Sequence, residues 1–161
     1  MKIRQLESAL SSIKGAFDCP KVALEQYPTS AHLAANIVHA AAALGDIEGC
    51  NILDLGVGTG MLTIASIMMG SLLNVGVDVD EDALALAQAN LRDMDLFEDV
   101  DLVLSDVQDV NLQMHFDTVI MNPPFGTRNT GIDTVFVEKG MAHADVVYSL
   151  HKSSTRTHFL K

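Results

Sequence analysis

A short apolar segment, Asn51–Leu55, runs directly into a glycine-rich turn, Gly56–Gly60, and then into a helical stretch, Met61–Met69. A second apolar segment, Leu73–Asp78, follows, and Glu81–Met94 then repeats apolar residues at helical spacing. A helix between two strands allows the chain to cross over and pair them in parallel, with a right-handed sense. The pattern therefore predicts an α/β fold built on a parallel sheet.

The length of the chain, 161 residues, fits a single domain of this class. The expected strands are 51–55, 73–78, 101–104, 117–121 and 146–150, and the expected helices are 3–13, 31–45, 61–69, 81–94 and 133–144. Residues 1–45 form an N-terminal helical extension in this scheme, and residues 46–161 form the α/β core. We expect a doubly wound, mostly parallel sheet of order 3-2-1-4-5, with ligands at the carboxyl ends of the strands.

Charge is distributed unevenly along the chain. The sequence has 21 acidic residues against 10 Lys and Arg, a net charge of −11, which by itself argues against nucleic-acid binding. Residues 22–127 hold 16 acids and one base, Arg92, and so carry −15, whereas the two ends together carry +4. An acidic middle therefore lies between basic ends.

The cysteine and histidine content argues against a disulfide framework and against a metal site. Two cysteines, Cys19 and Cys50, are too few for a disulfide framework, and the six histidines form no metal-ligand pattern with them. We expect reduced thiols, an intracellular location and no metal site. The first residues are charged rather than apolar, so neither a signal peptide nor a membrane span of ~20 residues is expected.

The glycine-rich turn has the spacing G-x-G-x-G, at Gly56, Gly58 and Gly60, with a carboxylate, Asp54, two residues before the first glycine. A dinucleotide fingerprint would need G-x-G-x-x-G, but Met61 stands at that last position. The carboxylate disfavours a phosphate and favours a cation. Such a loop on its own is also compatible with a simple tight turn.

Two further acids follow the next strands. Asp78 ends the second strand, where an acid accepts hydrogen bonds from ribose hydroxyls, and Asp106 follows the third, where it can accept from the amine of an adenine. A cationic ligand with a ribose and an adenine but no phosphate is S-adenosylmethionine. The sequence therefore predicts a Rossmann-like class I S-adenosylmethionine-dependent methyltransferase.

The fourth strand runs into Asn122-Pro123-Pro124-Phe125. The prolines stiffen the turn and hold the Asn122 side chain and the Pro123 carbonyl, which can both accept from one NH₂ group. Phe125 offers a ring on which a base can stack. The motif indicates methylation of a conjugated amine, and it leaves adenine N6, cytosine N4 and the glutamine side-chain amide open.

Five segments carry a resemblance to a known family: EQYPT at 25–29, the loop from Asp54, VDVDEDALALAQAN at 77–90, FDTVIMNPPFGT at 116–127 and VYSLHKSSTR at 147–156. They resemble the methyltransferase-like protein 5 family, which methylates adenosine N6 in small-subunit (18S) ribosomal RNA. The resemblance implies cofactor contacts at Gln26, Thr29, Gly56, Thr59, Met61, Asp78 and Asp106, and a catalytic motif at Asn122, Pro123, Pro124 and Phe125. It also implies a nuclear or nucleolar and cytoplasmic location.

The family also works with a small zinc-binding activator protein, and the expected edge strand 101–104 offers a place where a partner strand could pair. Such folds resemble a seven-stranded sheet, whereas five strands are counted before Lys161, so the chain is expected to be shortened at its C-terminus. An inactive cofactor-binding scaffold is therefore an alternative. The basic residues expected to contact RNA phosphates are Arg128, His151, Lys152, Arg156 and Lys161.

Overall fold

The computed structural model describes residues 1–155, and the expected RNA contacts at Arg156 and Lys161 lie outside the described residues. The helices are α1 (Ile3–Leu10), α2 (Ala31–Leu44), α3 (Met61–Met68), α4 (Glu81–Asp93) and α5 (Ile132–His143). The strands are β1 (Asn51–Leu55), β2 (Leu73–Asp78), β3 (Val100–Leu104), β4 (Phe116–Met121) and β5 (Ala144–Ser149). Within this part of the chain, no helix is long and apolar enough to cross a bilayer.

All five described strands are parallel and lie in the order β3-β2-β1-β4-β5. This confirms the predicted doubly wound fold. The order reverses at β1, which pairs with β2 on one side and with β4 on the other. The carboxyl ends of β1 and β4 therefore form the crevice in which such folds bind ligands.

Alternating residues of the central strands supply two apolar cores. Ile52 of β1 and Ile120 of β4 pack with α1, α2 and α3 on one face of the sheet. Leu53 and Leu55 of β1 face the opposite core together with Phe136 of α5. Because successive side chains of a strand point to opposite faces, a strand buried on both sides is mostly apolar, and Asp54 is the exception in β1.

The N-terminal helices begin and end at residues with clear physical signals. Ser30 caps α2, since its Oγ accepts from the Leu33 backbone N–H at 3.2 Å, and Gly45 ends the helix at a φ of 91°. Helix α1 is three residues shorter than expected. The Ser11 and Ser12 hydroxyls donate back to the carbonyls of Glu7 and Ala9, and such bonds compete with helix continuation.

Candidate active site

A cavity opens at the carboxyl edge of the sheet, between the glycine-rich turn, the ends of β2 and β4, and a segment that precedes α2. The cavity lining includes these expected site residues: Gln26, Thr29, Gly56, Gly58, Thr59, Met61, Asp78, Asp106, Asn122 and Pro124. Of the other expected residues in the described chain, Asp54, Gly60, Pro123 and Phe125 stand outside that lining. Both sequence motifs, separated by three connections between parallel strands, thus meet at one cavity.

The glycine-rich turn folds around the end of β2. Gly56 and Gly58 have φ values of 77° and 54°, in the left-handed region that a side chain disfavours. The backbone N–H groups of Gly56 and Val57 both donate to the Val77 carbonyl, at 2.8 and 2.9 Å. A Cβ at Gly76 would lie 2.8 Å from Val57 Cγ2, so β2 also needs a glycine where the turn packs against it. The turn consequently presents backbone to the cavity.

Asp78 links the turn to the start of α4. Its Oδ2 accepts from the Gly58 N–H at 2.9 Å, and its Oδ1 accepts from the Asp80 N–H at 3.0 Å. Burial raises the pKa of Asp78, and the neighbouring Asp80 charge raises it further against these hydrogen bonds. Each carboxylate oxygen has a second lone pair, so Asp78 can still accept bonds from two adjacent hydroxyls.

Asp54 lies at the end of β1 and is fully buried behind the turn. Its Oδ2 accepts from Thr63 Oγ1 at 2.7 Å, whereas its Oδ1 has no hydrogen-bond partner. Burial raises the pKa of Asp54 to about 7, and the Asp78 charge adds to the effect. Two crowded carboxyl groups, one with an unpaired oxygen, favour a positively charged ligand in the adjoining cavity. A sulfonium cofactor fits this electrostatic demand.

The adenine side of the cavity lies beyond β3. Asp106 is half-buried there, and its Oδ1 accepts from the Gln108 N–H at 2.8 Å. Val79 and Val107 add apolar surface to the same wall. A planar base with one exocyclic amine matches this combination of apolar walls and one carboxylate.

A segment before α2, residues 21–29, covers the cavity, and we call it the cover segment. Gln26 Oε1 accepts from the Lys21 backbone N–H at 2.7 Å, and Gln26 Nε2 donates to Asp80 Oδ2 at 2.5 Å. Lys21 Nζ also pairs with Asp80 and, at 2.7 Å, with Asp82. Gln26 lines the cavity, but both ends of its amide already bond to the protein.

The turn after β4 is held by the same cover segment. Asn122 Nδ2 donates to Thr29 Oγ1 at 3.0 Å. An amide nitrogen donates and does not accept, so this bond orients the amide, and Oδ1 is the atom of Asn122 that can accept a hydrogen bond from a ligand. Pro123 is buried and Pro124 lines the cavity.

Phe125 stands between two other side chains. Its ring stacks on Tyr27 with centroids 6.1 Å apart and an interplanar angle of 23°. Lys152 Nζ lies 4.9 Å from the same ring, at cation–π distance. An aromatic platform with a nearby cation therefore adjoins the Asn122 turn.

Comparison with known proteins decides the family. The sequence profile of the methyltransferase small domain matches residues 30–146. The chain belongs to that family. It is 43% identical over 166 residues to the rRNA N(6)-adenosine-methyltransferase METTL5 of Danio rerio, covering 100% of this chain and 79% of the relative. The Drosophila melanogaster rRNA N(6)-adenosine-methyltransferase Mettl5 is 45% identical over 167 residues, covering 100% and 78%.

Solved structures agree. A candidate RNA methyltransferase from Pyrococcus horikoshii superposes with a TM-score of 0.90 at 37% identity, over 99% of this chain and 76% of that one. The predicted resemblance to the methyltransferase-like protein 5 family and the predicted Rossmann-like methyltransferase fold are thereby confirmed. A Synechocystis magnesium protoporphyrin IX methyltransferase with bound S-adenosylmethionine shares the fold at a TM-score of 0.59 and 19% identity.

One residue of this methyltransferase site was given no role by the sequence patterns. Glu25 is buried, has a left-handed φ of 50°, and accepts from the backbone N–H groups of Phe125 and Arg128. The segment around it reads only as a connector and helix cap. The available signal is a single acid that follows the apolar run Val22–Leu24 and precedes Gln26 and Tyr27.

Proposed function

We propose that this chain transfers a methyl group from the sulfonium sulfur of S-adenosylmethionine to the N6 amine of an adenosine in ribosomal RNA. The S–CH₃ bond breaks as the N–CH₃ bond forms, S-adenosylhomocysteine leaves, and the methylated amine then loses one proton. Bound in the cavity, this cofactor supplies a methyl group on a sulfonium sulfur. The glycine-rich turn would hold its amino-acid tail, Asp78 its ribose and Asp106 its adenine amine. Asp54 and Asp78 supply the negative charge that a sulfonium and an ammonium require.

The Asn122 turn supports transfer to a conjugated amine. The lone pair of such an amine is delocalised into its ring, so it is a weak nucleophile. Asn122 Oδ1 and the Pro123 carbonyl can accept its two N–H groups and stabilise the positive charge that grows as the methyl arrives. The hydrogen bond between Thr29 and Asn122, 3.0 Å long, is the observation that carries this proposal, because it orients the Asn122 amide and so sets the position of its Oδ1 acceptor.

Ribosomal RNA is the favoured substrate because relatives at 43% and 45% identity are named rRNA N(6)-adenosine-methyltransferases. A ribosomal substrate also suits an acidic protein with few basic residues, since folded RNA can present the target without a long basic groove. The corresponding locations are the nucleus, including the nucleolus, and the cytoplasm, where ribosomal subunits are made and mature.

The test offers radiolabelled methyl donor with ribosomal RNA, DNA and protein in parallel. We expect label in RNA as N6-methyladenosine. Asn122→Ala should lower kcat by about 10²-fold or more while donor affinity, measured by calorimetry, is retained. Asn36→Ala, an exposed change on α2, is the matched control and should keep full activity.

Three outcomes contradict the proposal. Label only in a glutamine side chain or only in cytosine would change the acceptor. Donor binding without turnover on any acceptor would indicate a cofactor-binding scaffold. Wild-type turnover in Asn122→Ala would refute the role of the turn.

We further propose that a small zinc-binding activator subunit pairs with β3. In the described sheet β3 is an edge strand, and Leu104 on it is 51% exposed. Unpaired backbone groups on an edge invite a partner strand. Leu104→Arg should weaken that complex at least about tenfold. Leu72 is 72% exposed and directly precedes β2, away from the carboxyl end of β3, so Leu72→Arg should leave the complex intact. Equal binding by both variants would exclude the β3 edge.

A further inference from the structure

The carboxylate of Glu25 is enclosed by a single loop of the protein. Its Oε2 accepts from the Phe125 backbone N–H at 3.1 Å, and its Oε1 accepts from the Arg128 backbone N–H at 2.8 Å. Thr127 also donates to it, through both its backbone and its side chain. Only 7% of Glu25 is exposed, so protein donors rather than water solvate the charge.

These bonds keep Glu25 ionised. Burial would raise the pKa of Glu25, but the N–H and hydroxyl donors outweigh burial and the pKa falls below its usual range. Several backbone N–H donors around one carboxyl group favour its ionised form over its protonated form. The contact therefore has the character of a fixed anion bound by a loop.

The loop between β4 and α5 depends on local contacts for its shape. Residues 122–131 contain neither helix nor strand, and they follow directly from β4. Gly126 has a φ of 72°, which bends the chain around the carboxylate. The hydrogen bonds to Glu25 therefore fix the backbone of the residues that follow the Asn-Pro-Pro turn.

Glu25 also belongs to the cover segment. Four residues later, Thr29 bonds to Asn122, so the cover segment holds the catalytic turn at two points, one on each side of the prolines. The two contacts bracket the section of chain in which the amine acceptors and the Phe125 ring lie.

We propose that Glu25 is a positioning residue for the methyl acceptor: it fixes the Phe125–Arg128 backbone and so sets the Phe125 ring relative to Asn122. This inference rests on the proposed function for the identity of the acceptor. It assigns Glu25 no contact with donor or RNA. Misplacement of reacting groups by ~1 Å can cost about 10²-fold in rate, which is the scale of effect expected.

The decisive variant is Glu25→Gln in the full chain. The two carboxylate oxygens bond to different N–H groups, and an amide can replace only one of them. Its NH₂ group would face the other donor. We expect kcat to fall by about tenfold to a hundredfold, with donor Kd changed by less than about threefold. Glu138→Gln, an exposed change on α5, is the matched control.

Thr127→Val is the second variant. It removes one side-chain donor to Glu25 at an exposed position, so the protein should fold normally. We expect a smaller loss of kcat, of about threefold to tenfold. If Glu25 had only a structural role, both variants would be less thermally stable, and their kcat and donor affinity would fall together.

Hydrogen exchange supplies a readout that does not depend on turnover. In Glu25→Gln the amides of Phe125 and Arg128 should exchange at least about tenfold faster, while those of β1 and β4 stay protected. Unchanged kcat, or unchanged exchange at both amides, would overturn the inference. If wild-type protein methylates no RNA, the proposed function fails, and the exchange measurement still decides whether Glu25 fixes the loop.

Discussion

Asp54→Asn tests the electrostatic account of the cavity. Asp54 is fully buried, and one of its carboxylate oxygens has no hydrogen-bond partner. Burial, with the nearby Asp78 charge, raises the pKa of Asp54 from 3.8 to about 7. A pKa that is higher in the folded protein contributes stability that is fully present below pH 3.8 and is lost as pH rises toward 7.

The magnitude follows from that difference. Each pH unit of pKa change corresponds to about 1.4 kcal/mol, so full ionisation of Asp54 in the donor-free protein costs up to about 4 kcal/mol. Asparagine has the same shape and stays neutral. We therefore expect Asp54→Asn to match wild type near pH 4 and to exceed its free energy of unfolding by about 2–4 kcal/mol at pH 8.

The assay is urea unfolding of both proteins at half-unit pH steps. Taking the difference between variant and wild type removes the contributions of histidines and other shared groups. The difference should grow between pH 4 and pH 7 and then level off. A constant difference across this range, or a less stable variant at pH 8, would refute the assignment of a raised pKa to Asp54.

Donor binding provides the complementary measurement. A cation in the cavity stabilises ionised Asp54 and Asp78, whose pKa values are both raised in the donor-free protein. S-adenosylmethionine should therefore release protons on binding near pH 6.5, and its calorimetric enthalpy should vary with the ionisation enthalpy of the buffer. Asp54→Asn should reduce this proton release. Binding without proton release in wild type would place the cation away from these carboxyl groups.

The remaining predictions concern the acceptor side. Thr29→Val should lower kcat by about tenfold with donor affinity retained, because Asn122 loses the hydrogen-bond acceptor that orients its amide. An unchanged kcat would show that this hydrogen bond is dispensable. Arg128→Ala and Lys152→Ala should each weaken RNA binding and reduce the slope of log affinity against log salt by about 0.7, whereas Arg4→Ala on α1 should not. Equal slopes in all variants would exclude these two residues as phosphate contacts.

The charge of His151, one of the residues expected to contact RNA, depends on its surroundings. Burial lowers its pKa below the usual 6.5, against the opposing effect of Asp133. Its Nε2 lies 2.7 Å from Ser149 Oγ. The neutral form of His151 is therefore favoured in the RNA-free protein, and its contact with RNA stays a prediction.

Strand positions were predictable where apolar runs are bounded by turn residues. β1 and β2 lie at the predicted residues, because NILDL is followed by glycines and LNVGVD follows a turn at Gly70 and Ser71 and ends at an aspartate. β5 begins at Ala144, two residues earlier than expected. Helix α5 passes into β5 without an intervening loop, and Ala144 already pairs with Phe116 of β4. The alanine carries no sequence signal for this change from helix to strand.

The cavity lining was predictable to the extent that parallel strands bring their carboxyl ends together. Asp78, Asp106 and Asn122 each follow a different strand and meet at one cavity for this reason. Glu25 could not be found in this way. It precedes the first strand, and its partner Phe125 is 100 residues away, so only the folded chain shows that they are in contact.

The position of the cover segment explains how donor and acceptor sites become coupled. Lys21 and Gln26 tie it to Asp80, beyond β2, whereas Glu25 and Thr29 tie it to the turn after β4. β2 and β4 lie on opposite sides of β1, so the segment spans the whole crevice. We therefore expect a donor that contacts the cover segment also to stabilise the turn that receives the amine. By linkage the acceptor must strengthen donor binding to the same degree.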